Sequence, residues 1–290
     1  MVISWHFFLF LTMTKIVLNG EFLDSEEPVF HYNNRSFRYG DGFFETMRIR
    51  NGMILFEKLH EERIINSFKL LGFGDMTVSI FNEIKMKIVE LCLNNLCNNS
   101  GRLRLSFYRN KSNNENESIH FHYLIEATGL EEDVYLYNET GLNICIYPDA
   151  RISMDKFSNL KSANYLPYVM ASIFAKEGLK DDALLLNNQE RIVESSIANV
   201  FWIKDEVIYT PSLSEGCIDG VVRKFLLNKF KETGIRFYEK PLTRMELMEA
   251  DEVFLTNAIK GIRWVSEFET KKNENLISKK LYHLFLKDLA

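Results

Sequence analysis

The chain has 290 residues, of which 46% are hydrophobic and 13% aromatic, so it can form one large globular domain or two modest ones. Its formal net charge of −5, from 35 basic and 40 acidic residues, provides no basic field, and we expect neither a nucleic-acid partner nor binding to a membrane. The four cysteines and six histidines show no metal-ligand spacing. We therefore expect no metal site and a reducing, cytoplasmic compartment.

The first residues contain an apolar run from Trp5 to Leu11. No basic residue precedes this run, it is too short to span a bilayer, and no small-residue cleavage site follows it. We therefore reject a secretory segment and predict that residues 1–12 are a disordered extension.

Residues 13–126 are predicted to form a small α/β domain. Residues 16–18 and 21–23 read as strands of a hairpin around Asn19-Gly20, a strong two-residue turn signal. Gly40 and Gly42 allow a tight turn into a strand on which Phe44, Thr46 and Arg48 are candidate cavity residues.

Helical spacing of apolar residues predicts amphipathic helices over residues 57–72 and 79–96, and Arg63 lies beside the apolar stripe of the first. Residues 102–109 alternate as a strand, which places Arg104 and Arg109 on opposite faces. The polar residues 110–118 are predicted to be a mobile loop. Residues 127–139 are the predicted linker to a larger domain formed by residues 140–290.

Lys161 lies just ahead of an amphipathic helix whose apolar positions include Leu166, Val169 and Ile173. A lysine at such a place is usually a solvated surface residue, so its neighbours decide its role. Downstream, residues 191–202 read as a strand, a polar turn and a second strand, and this arrangement delivers Glu194 to a cleft.

A loop over residues 211–220 runs into a helix over residues 221–231, and the free N–H groups at the start of that helix suit a phosphate. Residues 252–262 form the last strand and turn of interest, with Asn257 and Ala258 at the turn. Neither signal is specific when taken alone.

The order and spacing of Arg63, Lys161, Glu194 and the Gly220 turn resemble those of the fold-type IV pyridoxal-phosphate enzymes. This family includes branched-chain and D-amino-acid aminotransferases and 4-amino-4-deoxychorismate lyase. The resemblance implies an α/β fold of two domains with pyridoxal 5′-phosphate between them. It also implies a homodimer in which the partner lends a loop to the active site, and a small amino-acid-like substrate.

The resemblance also assigns roles to residues. Lys161 binds the cofactor covalently, since a desolvated amine can condense with an aldehyde, and Glu194 holds the pyridine nitrogen, since a carboxylate favours the protonated ring. Arg63 is assigned to the phosphate. The remaining cofactor contacts that it implies are Ser196, Asn199, Gly220, Val221, Val222, Asn257 and Ala258. Thr46 is a candidate catalytic residue, and Phe44, Arg104 and Arg109 are candidates for substrate contact.

At several positions the resemblance distinguishes the family's aminotransferases from its lyase. Val222 and the pair Asn257-Ala258 replace hydroxyl residues that are common in the aminotransferases, and both changes resemble the lyase. Phe44 stands where the D-amino-acid enzymes have a carboxylate-binding tyrosine, whereas Tyr165-Leu166-Pro167 is similar to the branched-chain group.

Our interpretation is a lyase that eliminates pyruvate from aminodeoxychorismate to give 4-aminobenzoate. The alternative is a class IV aminotransferase that acts on branched-chain or D-amino acids. A third hypothesis is a non-catalytic homologue, whose mark would be loss of Lys161 or Glu194, and this chain retains both.

Overall fold

The computed structural model describes residues 14–109 and 121–289. The predicted extension over residues 1–12 and the predicted mobile loop over residues 110–118 lie outside these ranges. No described helix is long and apolar enough to cross a lipid bilayer.

The N-terminal domain is built on an antiparallel sheet with the strand order β2-β1-β6-β5-β3-β4. Asn19 and Gly20 both adopt positive φ between β1 and β2, as the predicted hairpin turn requires. The strands are β1 (Lys15–Leu18), β2 (Glu21–Asp24), β3 (Gly42–Arg50), β4 (Met53–Ile54), β5 (Ser100–Arg109) and β6 (Phe121–Gly129).

Three helices accompany this sheet: α1 (Arg35–Tyr39), α2 (Glu57–Leu71) and α3 (Val78–Asn94). The predicted helices α2 and α3 are confirmed, and α2 ends at Gly72, whose φ of 63° is the left-handed conformation of a helix cap. Ile64 and Phe68 of α2 and Ile84 of α3 are buried, in a core cluster that includes the apolar face of β5.

The C-terminal domain is built on a mixed sheet in the order β12-β11-β10-β13-β14-β7-β8-β9, and β15 pairs with β14. The sheet closes on itself, since Glu194 of β9 pairs with Asn199 of β10. Its strands are β7 (Leu142–Ile152), β8 (Asp182–Asn187), β9 (Ile192–Ser195), β10 (Asn199–Lys204), β11 (Val207–Thr210), β12 (Phe237–Glu239), β13 (Glu252–Asn257), β14 (Gly261–Phe268) and β15 (Lys271–Lys272). Its helices are α4 (Leu166–Glu177), α5 (Val221–Thr233), α6 (Arg244–Glu249) and α7 (Leu276–Phe285).

Strand β6 extends into the segment predicted as a linker. β6 continues to Gly129 because its last residues pair with β5, so residues 127–129 belong to the sheet. The following segment packs against the C-terminal domain: Asn138 Nδ2 donates to Trp264 O at 2.9 Å, and the Tyr135 hydroxyl donates to Ala258 O at 2.7 Å.

Helix α4 forms where the sequence predicts it, but its large apolar residues do not face the core. Tyr168, Ala171 and Ala175 are the buried residues of α4, and the small side chains of the two alanines let the helix approach β7 and β8 closely. The apolar positions that gave the helical periodicity are exposed instead, with Leu166 at 69% and Val169 at 47%. The apolar stripe therefore forms a surface.

The two domains meet beside Lys161. The backbone N–H of Phe44 in β3 donates to Lys161 O at 2.9 Å, and the N–H of Ala163 donates to Gly42 O at 2.9 Å. Gly40 has a φ of 64°, and a Cβ there would collide with Asn164 Oδ1. The left-handed backbone therefore favours glycine where the chain enters β3 against the Lys161 segment.

Candidate active site

A cavity of about 330 Å³ lies between the two domains and is lined by residues of both. It brings together side chains that are far apart in the sequence, from β3, β5 and α2 on one side and from β9, α5 and the β13–β14 turn on the other. The predicted site residues that line it are Phe44, Thr46, Arg63, Arg104, Lys161, Glu194, Asn199, Gly220, Val221, Val222, Asn257 and Ala258.

Lys161 reaches into this cavity between two aromatic rings. Its Nζ lies 4.8 Å from the centre of the Phe44 ring and 5.3 Å from that of the Tyr165 ring. Loss of bulk water around the amine lowers the pKa of Lys161 to about 8, the charge of Arg63 adds to this, and Glu45 and Glu194 oppose it. A fraction of the amine is therefore unprotonated near neutral pH and can act as a nucleophile or a base.

Glu194 is a buried carboxyl group with neutral hydrogen-bond donors around it. It accepts hydrogen bonds from the Tyr168 hydroxyl at 2.7 Å, from Ile218 N at 3.1 Å and from Asn199 Nδ2 at 3.2 Å. Burial raises the pKa of Glu194 to about 7, although the hydrogen bonds from Tyr168 and Ile218 and the charges of Lys161 and Arg223 oppose the rise. A cation placed beside Glu194 would restore its usual ionisation.

Arg63 is held at the cavity by a buried acid. Arg63 Nε donates to Glu45 Oε1 at 2.7 Å and its Nη2 to Glu45 Oε2 at 2.5 Å, while Nη1 donates to Asp219 O at 2.9 Å. His60 Nδ1 lies 2.7 Å from the same Glu45 Oε2. Burial favours the neutral carboxyl of Glu45, but Arg63 and His60 outweigh burial and lower the pKa of Glu45 to about 2.

The N-terminus of α5 lies at the cavity. Gly220 is the N-cap of α5, and no side chain caps the first N–H groups of this helix. A Cβ at Gly220 would collide with Asn199 Oδ1, because Asn199 is fixed there by its bonds to Glu194 and to Ile218 O. The free N–H groups beside Val221 and Val222 are suited to an anion.

One hydroxyl group in the cavity wall has no partner among the described residues. Thr256 is 2% exposed and lines the cavity, yet its Oγ1 makes no hydrogen bond there. A buried unpaired hydroxyl is unfavourable, so it marks a place where a ligand oxygen can bind. The pair Asn257-Ala258 therefore does not leave this region without a hydroxyl donor, since Thr256 supplies one.

The turn between β13 and β14 is held in place by hydrogen bonds from Asn257 and Arg48. Asn257 Oδ1 accepts hydrogen bonds from Ile259 N at 3.0 Å and from Lys260 N at 2.8 Å, which closes the turn. Arg48 Nη1 donates to Ile259 O at 2.6 Å. Arg48 was a candidate cavity residue, but it lies behind the turn, where it is 2% exposed and stacks on Tyr135. Arg48 therefore supports the turn and does not line the cavity.

An aromatic wall faces the cavity on the side of β3 and α4. The rings of Tyr165 and Tyr168 stack at 4.3 Å, and the Phe44 ring meets Tyr165 edge-on at 5.3 Å. The guanidinium carbon of Arg104 lies 3.7 Å from the centre of the Phe44 ring. Thr46 pairs with Arg104 across β3 and β5, so the two side chains lie next to each other.

Two predicted site residues are not brought to the cavity. Arg109 lies on the opposite face of β5, where its Nε donates to Asp41 Oδ2 at 3.1 Å and its Nη2 to Leu71 O at 2.8 Å. Ser196 is buried behind the wall, and its hydroxyl donates to Asp182 Oδ1 at 2.6 Å. Its neighbour Ser195 is the residue that lines the cavity. The structure thus corrects the placement of Arg109 and of Ser196.

Several cavity residues were missed by the sequence argument. Arg102 follows the same alternation as Arg104, so the strand pattern already placed it on the Arg104 face. Lys260 follows Ala258 in the predicted turn. Glu45, which holds Arg63, and its partner His60 do not line the cavity, and they carry no local signal either, because Glu45 lies on a strand and His60 on a helix and they meet only in the folded chain.

Comparisons with known proteins agree on a family. The family described as amino-transferase class IV matches residues 42–268. A relative from Methanocaldococcus jannaschii, named "Putative branched-chain-amino-acid aminotransferase", is 30% identical, with 93% of this chain and 95% of the relative covered. An aminodeoxychorismate lyase of Bacillus subtilis is 28% identical, with 84% of this chain and 83% of the relative covered.

A solved structure has the same fold over nearly the whole chain. The branched-chain aminotransferase of Thermoproteus uzoniensis, crystallised with norvaline, superposes with a TM-score of 0.81 at 25% identity. The superposition covers 94% of this chain and 93% of that one.

The residues of the cavity fit pyridoxal 5′-phosphate, the cofactor on which enzymes of this family depend. Lys161 supplies an amine for its aldehyde, and Glu194 supplies a buried carboxyl group that would ionise beside a cationic ring nitrogen. Arg63, the start of α5 and the unpaired Thr256 hydroxyl supply donors for a phosphate. No described group of His, Cys, Asp and Glu residues could hold a metal ion. The chain belongs to the class IV aminotransferase family and is a pyridoxal-phosphate-dependent enzyme of the two-domain, fold-type IV architecture.

Proposed function

We propose that this enzyme is a 4-amino-4-deoxychorismate lyase, which eliminates pyruvate and forms 4-aminobenzoate. The observation that carries the proposal is that Val222 and Ala258, the two positions at which a hydroxyl group has been replaced in the manner of the lyase, both line the cavity. Similarity to the Bacillus subtilis lyase over most of both chains supports it.

In this function the side chains have separable tasks. The cofactor, when bound, supplies an electron sink for the substrate's electrons. Lys161 accepts and returns a proton at Nζ, because its lowered pKa leaves part of the amine neutral near neutral pH. Glu194 sets the charge of the ring nitrogen through a carboxyl group that Tyr168, Ile218 and Asn199 hold in place.

The walls of the cavity position the substrate. Phe44 and Tyr165 give flat apolar surfaces that suit a six-membered carbon ring. Arg104, stacked on Phe44, offers a cation to a carboxylate at the edge of such a ring. Elimination followed by aromatisation requires proton transfer, which is the proposed task of Lys161. It also requires a substrate ring held in one position, which is the proposed task of Phe44, Tyr165 and Arg104.

A branched-chain aminotransferase is the second candidate. The relative with 30% identity and the superposed structure from Thermoproteus uzoniensis favour it, as does the sequence Tyr165-Leu166-Pro167 at the start of α4. The apolar rings of the cavity would then face an aliphatic side chain.

The two candidates differ in whether a second substrate is needed. A transaminase leaves the amino group on its cofactor and needs a keto acid to turn over again, whereas a lyase regenerates its starting form in each cycle. We expect pyruvate and 4-aminobenzoate to form from aminodeoxychorismate over many turnovers without added 2-oxoglutarate. Turnover of leucine that depends on 2-oxoglutarate, with no pyruvate released from aminodeoxychorismate, would support the aminotransferase instead.

We further propose that the enzyme is a homodimer. The exposed apolar face of α4, formed by Leu166, Val169, Met170, Ile173 and Phe174, supports this proposal. Contiguous apolar surface of this kind is characteristic of subunit interfaces, and α4 begins next to the cavity. A second copy of the chain is the partner that the resemblance to the family implies.

A further inference from the structure

A phenol hydroxyl in the cavity wall is directed at Glu194. Tyr168 is 8% exposed, and its hydroxyl donates to Glu194 Oε1 at 2.7 Å. The ring of Tyr168 stacks on that of Tyr165 at 4.3 Å, and it packs in the core cluster that contains Ala171 and Val193. Packing therefore fixes the position of the hydroxyl before any ligand binds.

The carboxyl group of Glu194 has room for one more hydrogen-bond donor. An ionised carboxylate has about four lone-pair sites. Oε1 accepts from Tyr168, Oε2 accepts from Asn199 Nδ2 at 3.2 Å, and Ile218 N lies 3.1 Å from Oε1 and 3.2 Å from Oε2. Three sites are thus used by the protein, and the fourth is available to a ligand in the cavity that Glu194 lines.

The three donors are neutral, and no lysine or arginine among the described residues donates to Glu194. A buried carboxyl group in such a place tends to keep its proton, and burial does raise the pKa of Glu194 to about 7. A hydrogen bond to the charged form opposes this rise. That from Tyr168 is the shortest of the three, and it is the strongest of the effects that lower the pKa of Glu194.

The cations near Glu194 do not replace this donor. Lys161 and Arg223 both favour the ionised carboxyl group through their charges. Arg223, however, is buried on α5, where it donates to Pro211 O at 2.9 Å and pairs with Glu239. Lys161 is the proposed attachment point of the cofactor, so its free ammonium group is not available once the cofactor is bound.

The remaining titratable groups around Glu194 keep their protons near neutral pH. Burial raises the pKa of the Tyr165 and Tyr168 hydroxyls, and it raises the pKa of the Cys217 thiol to about 12. Tyr168 therefore remains a donor over the pH range in which Glu194 ionises.

We propose that Tyr168 is a positioning residue for Glu194, whose carboxyl group it holds in one orientation and keeps ionised, ready to pair with the protonated ring nitrogen of pyridoxal 5′-phosphate. The reaction depends on this charge, because only a protonated ring is a strong electron sink. Tyr168 acts through Glu194 and needs no contact with the substrate. The inference goes beyond the proposed function, since it applies equally to a lyase and to an aminotransferase.

The first test measures the ionisation of Glu194 in the full chain without cofactor. Infrared spectra of protein that contains isotope-labelled glutamate are recorded against pH, and the Glu194 band is the one lost in Glu194→Gln. Tyr168→Phe removes the hydroxyl and retains the ring. We expect this variant to raise the midpoint of the band by about one pH unit, as the loss of one hydrogen bond to a charged group implies. Tyr168→Gln, which keeps a neutral donor, should raise it less.

The second test uses the enzyme with its cofactor bound and the cofactor labelled at its ring nitrogen. Nitrogen NMR distinguishes a protonated ring from a neutral one without turnover. We expect the wild-type signal to be that of a protonated ring, and the signal in Tyr168→Phe to lie closer to that of neutral pyridine.

Tyr147→Phe is the matched control, since it removes a hydroxyl from the same core cluster at a residue that does not line the cavity. It should change neither the Glu194 midpoint nor the ring-nitrogen signal. A midpoint in Tyr168→Phe that equals or falls below the wild-type value, or an unchanged ring-nitrogen signal, would overturn the inference.

A measurement on the wild type needs no substitution and covers the case in which Tyr168→Phe does not fold. With isotope-labelled tyrosine, a ring signal should change at the same pH as the Glu194 band, and the absence of such a signal would equally contradict the inference. Failure of the proposed lyase activity is seen separately, as absence of pyruvate release, and leaves these tests intact.

Discussion

The buried positive charge of Arg63 is compensated by the carboxylate of Glu45. Glu45 has no exposed surface, and both of its oxygens are used by Arg63 and His60. His60 is also buried, and burial lowers the pKa of its imidazole, so a neutral ring that donates from Nδ1 is the expected form. Removing the charge of Glu45 would leave the Arg63 guanidinium buried without an anion.

We predict that Glu45→Gln destabilises the fold by about 3 kcal/mol at neutral pH, as a pKa lowered from 4.5 to about 2 implies. Since the folded pKa of Glu45 is depressed, this stabilisation is present above the unfolded pKa and is lost as the pH falls through about 2. The difference between wild type and variant in the free energy of unfolding, measured with urea, should therefore narrow as the solution is acidified. Glu131→Gln, at an exposed residue, should change little at either pH. A difference that stays constant with pH would argue against an ionised Glu45.

At the scale of elements, local patterns predicted much of the fold. The hairpin at Asn19-Gly20, the helix ending at Gly72 and the strand that carries Glu194 all appear in the structure. Each has a short-range cause, either a turn residue with positive φ or a regular apolar spacing.

Local patterns could not determine what each face of a strand or helix packs against. Arg109 and Arg104 lie on one strand and point to opposite sides, and the sequence did not show which side faces the cavity. The apolar stripe of α4 was equally ambiguous, because a core face and a subunit interface have the same periodicity. Only the packing of Ala171 and Ala175 decides which face of α4 is buried.

The junction between the β11–α5 loop and helix α5 is predicted to be intolerant of any side chain. Gly220→Ala would place a methyl group against Asn199 Oδ1 and so disturb the amide that supports Glu194. We expect a loss of about 1–3 kcal/mol in stability and weaker cofactor binding, measured by thermal unfolding with and without cofactor. Gly129→Ala is the matched control, because nothing lies within 4 Å of a Cβ there, and it should be nearly neutral. Equal behaviour of the two variants would contradict this account of the Asn199 contact.

At the scale of the whole molecule, the cavity lies where two separately built sheets meet. The N-terminal sheet supplies Phe44, Thr46 and Arg104, while the closed C-terminal sheet supplies Glu194 and Thr256. Their juxtaposition follows from the β3 contact with the Lys161 segment, which no single stretch of sequence encodes. The resemblance to a known family, more than any local pattern, allowed these residues to be grouped from the sequence.

A further prediction concerns the proposed homodimer. Ile173→Glu on the exposed face of α4 should shift the protein from dimer to monomer, because a charge would then be buried in the interface. Light scattering during size-exclusion chromatography measures the mass directly. Leu93→Glu, at an exposed apolar residue of α3 outside that face, should leave the mass unchanged. A monomeric wild type, or a dimer that persists in Ile173→Glu, would place the interface elsewhere or exclude it.

The central claim is that Lys161 is the residue that binds the cofactor. Borohydride reduction of the enzyme with its cofactor, followed by peptide mass spectrometry, measures this directly. We predict a pyridoxyl group on the peptide that contains Lys161, and loss of both the modification and the visible absorption band in Lys161→Ala. A modified peptide that contains another lysine, such as Lys260, or an absorption band that survives in Lys161→Ala, would contradict the account.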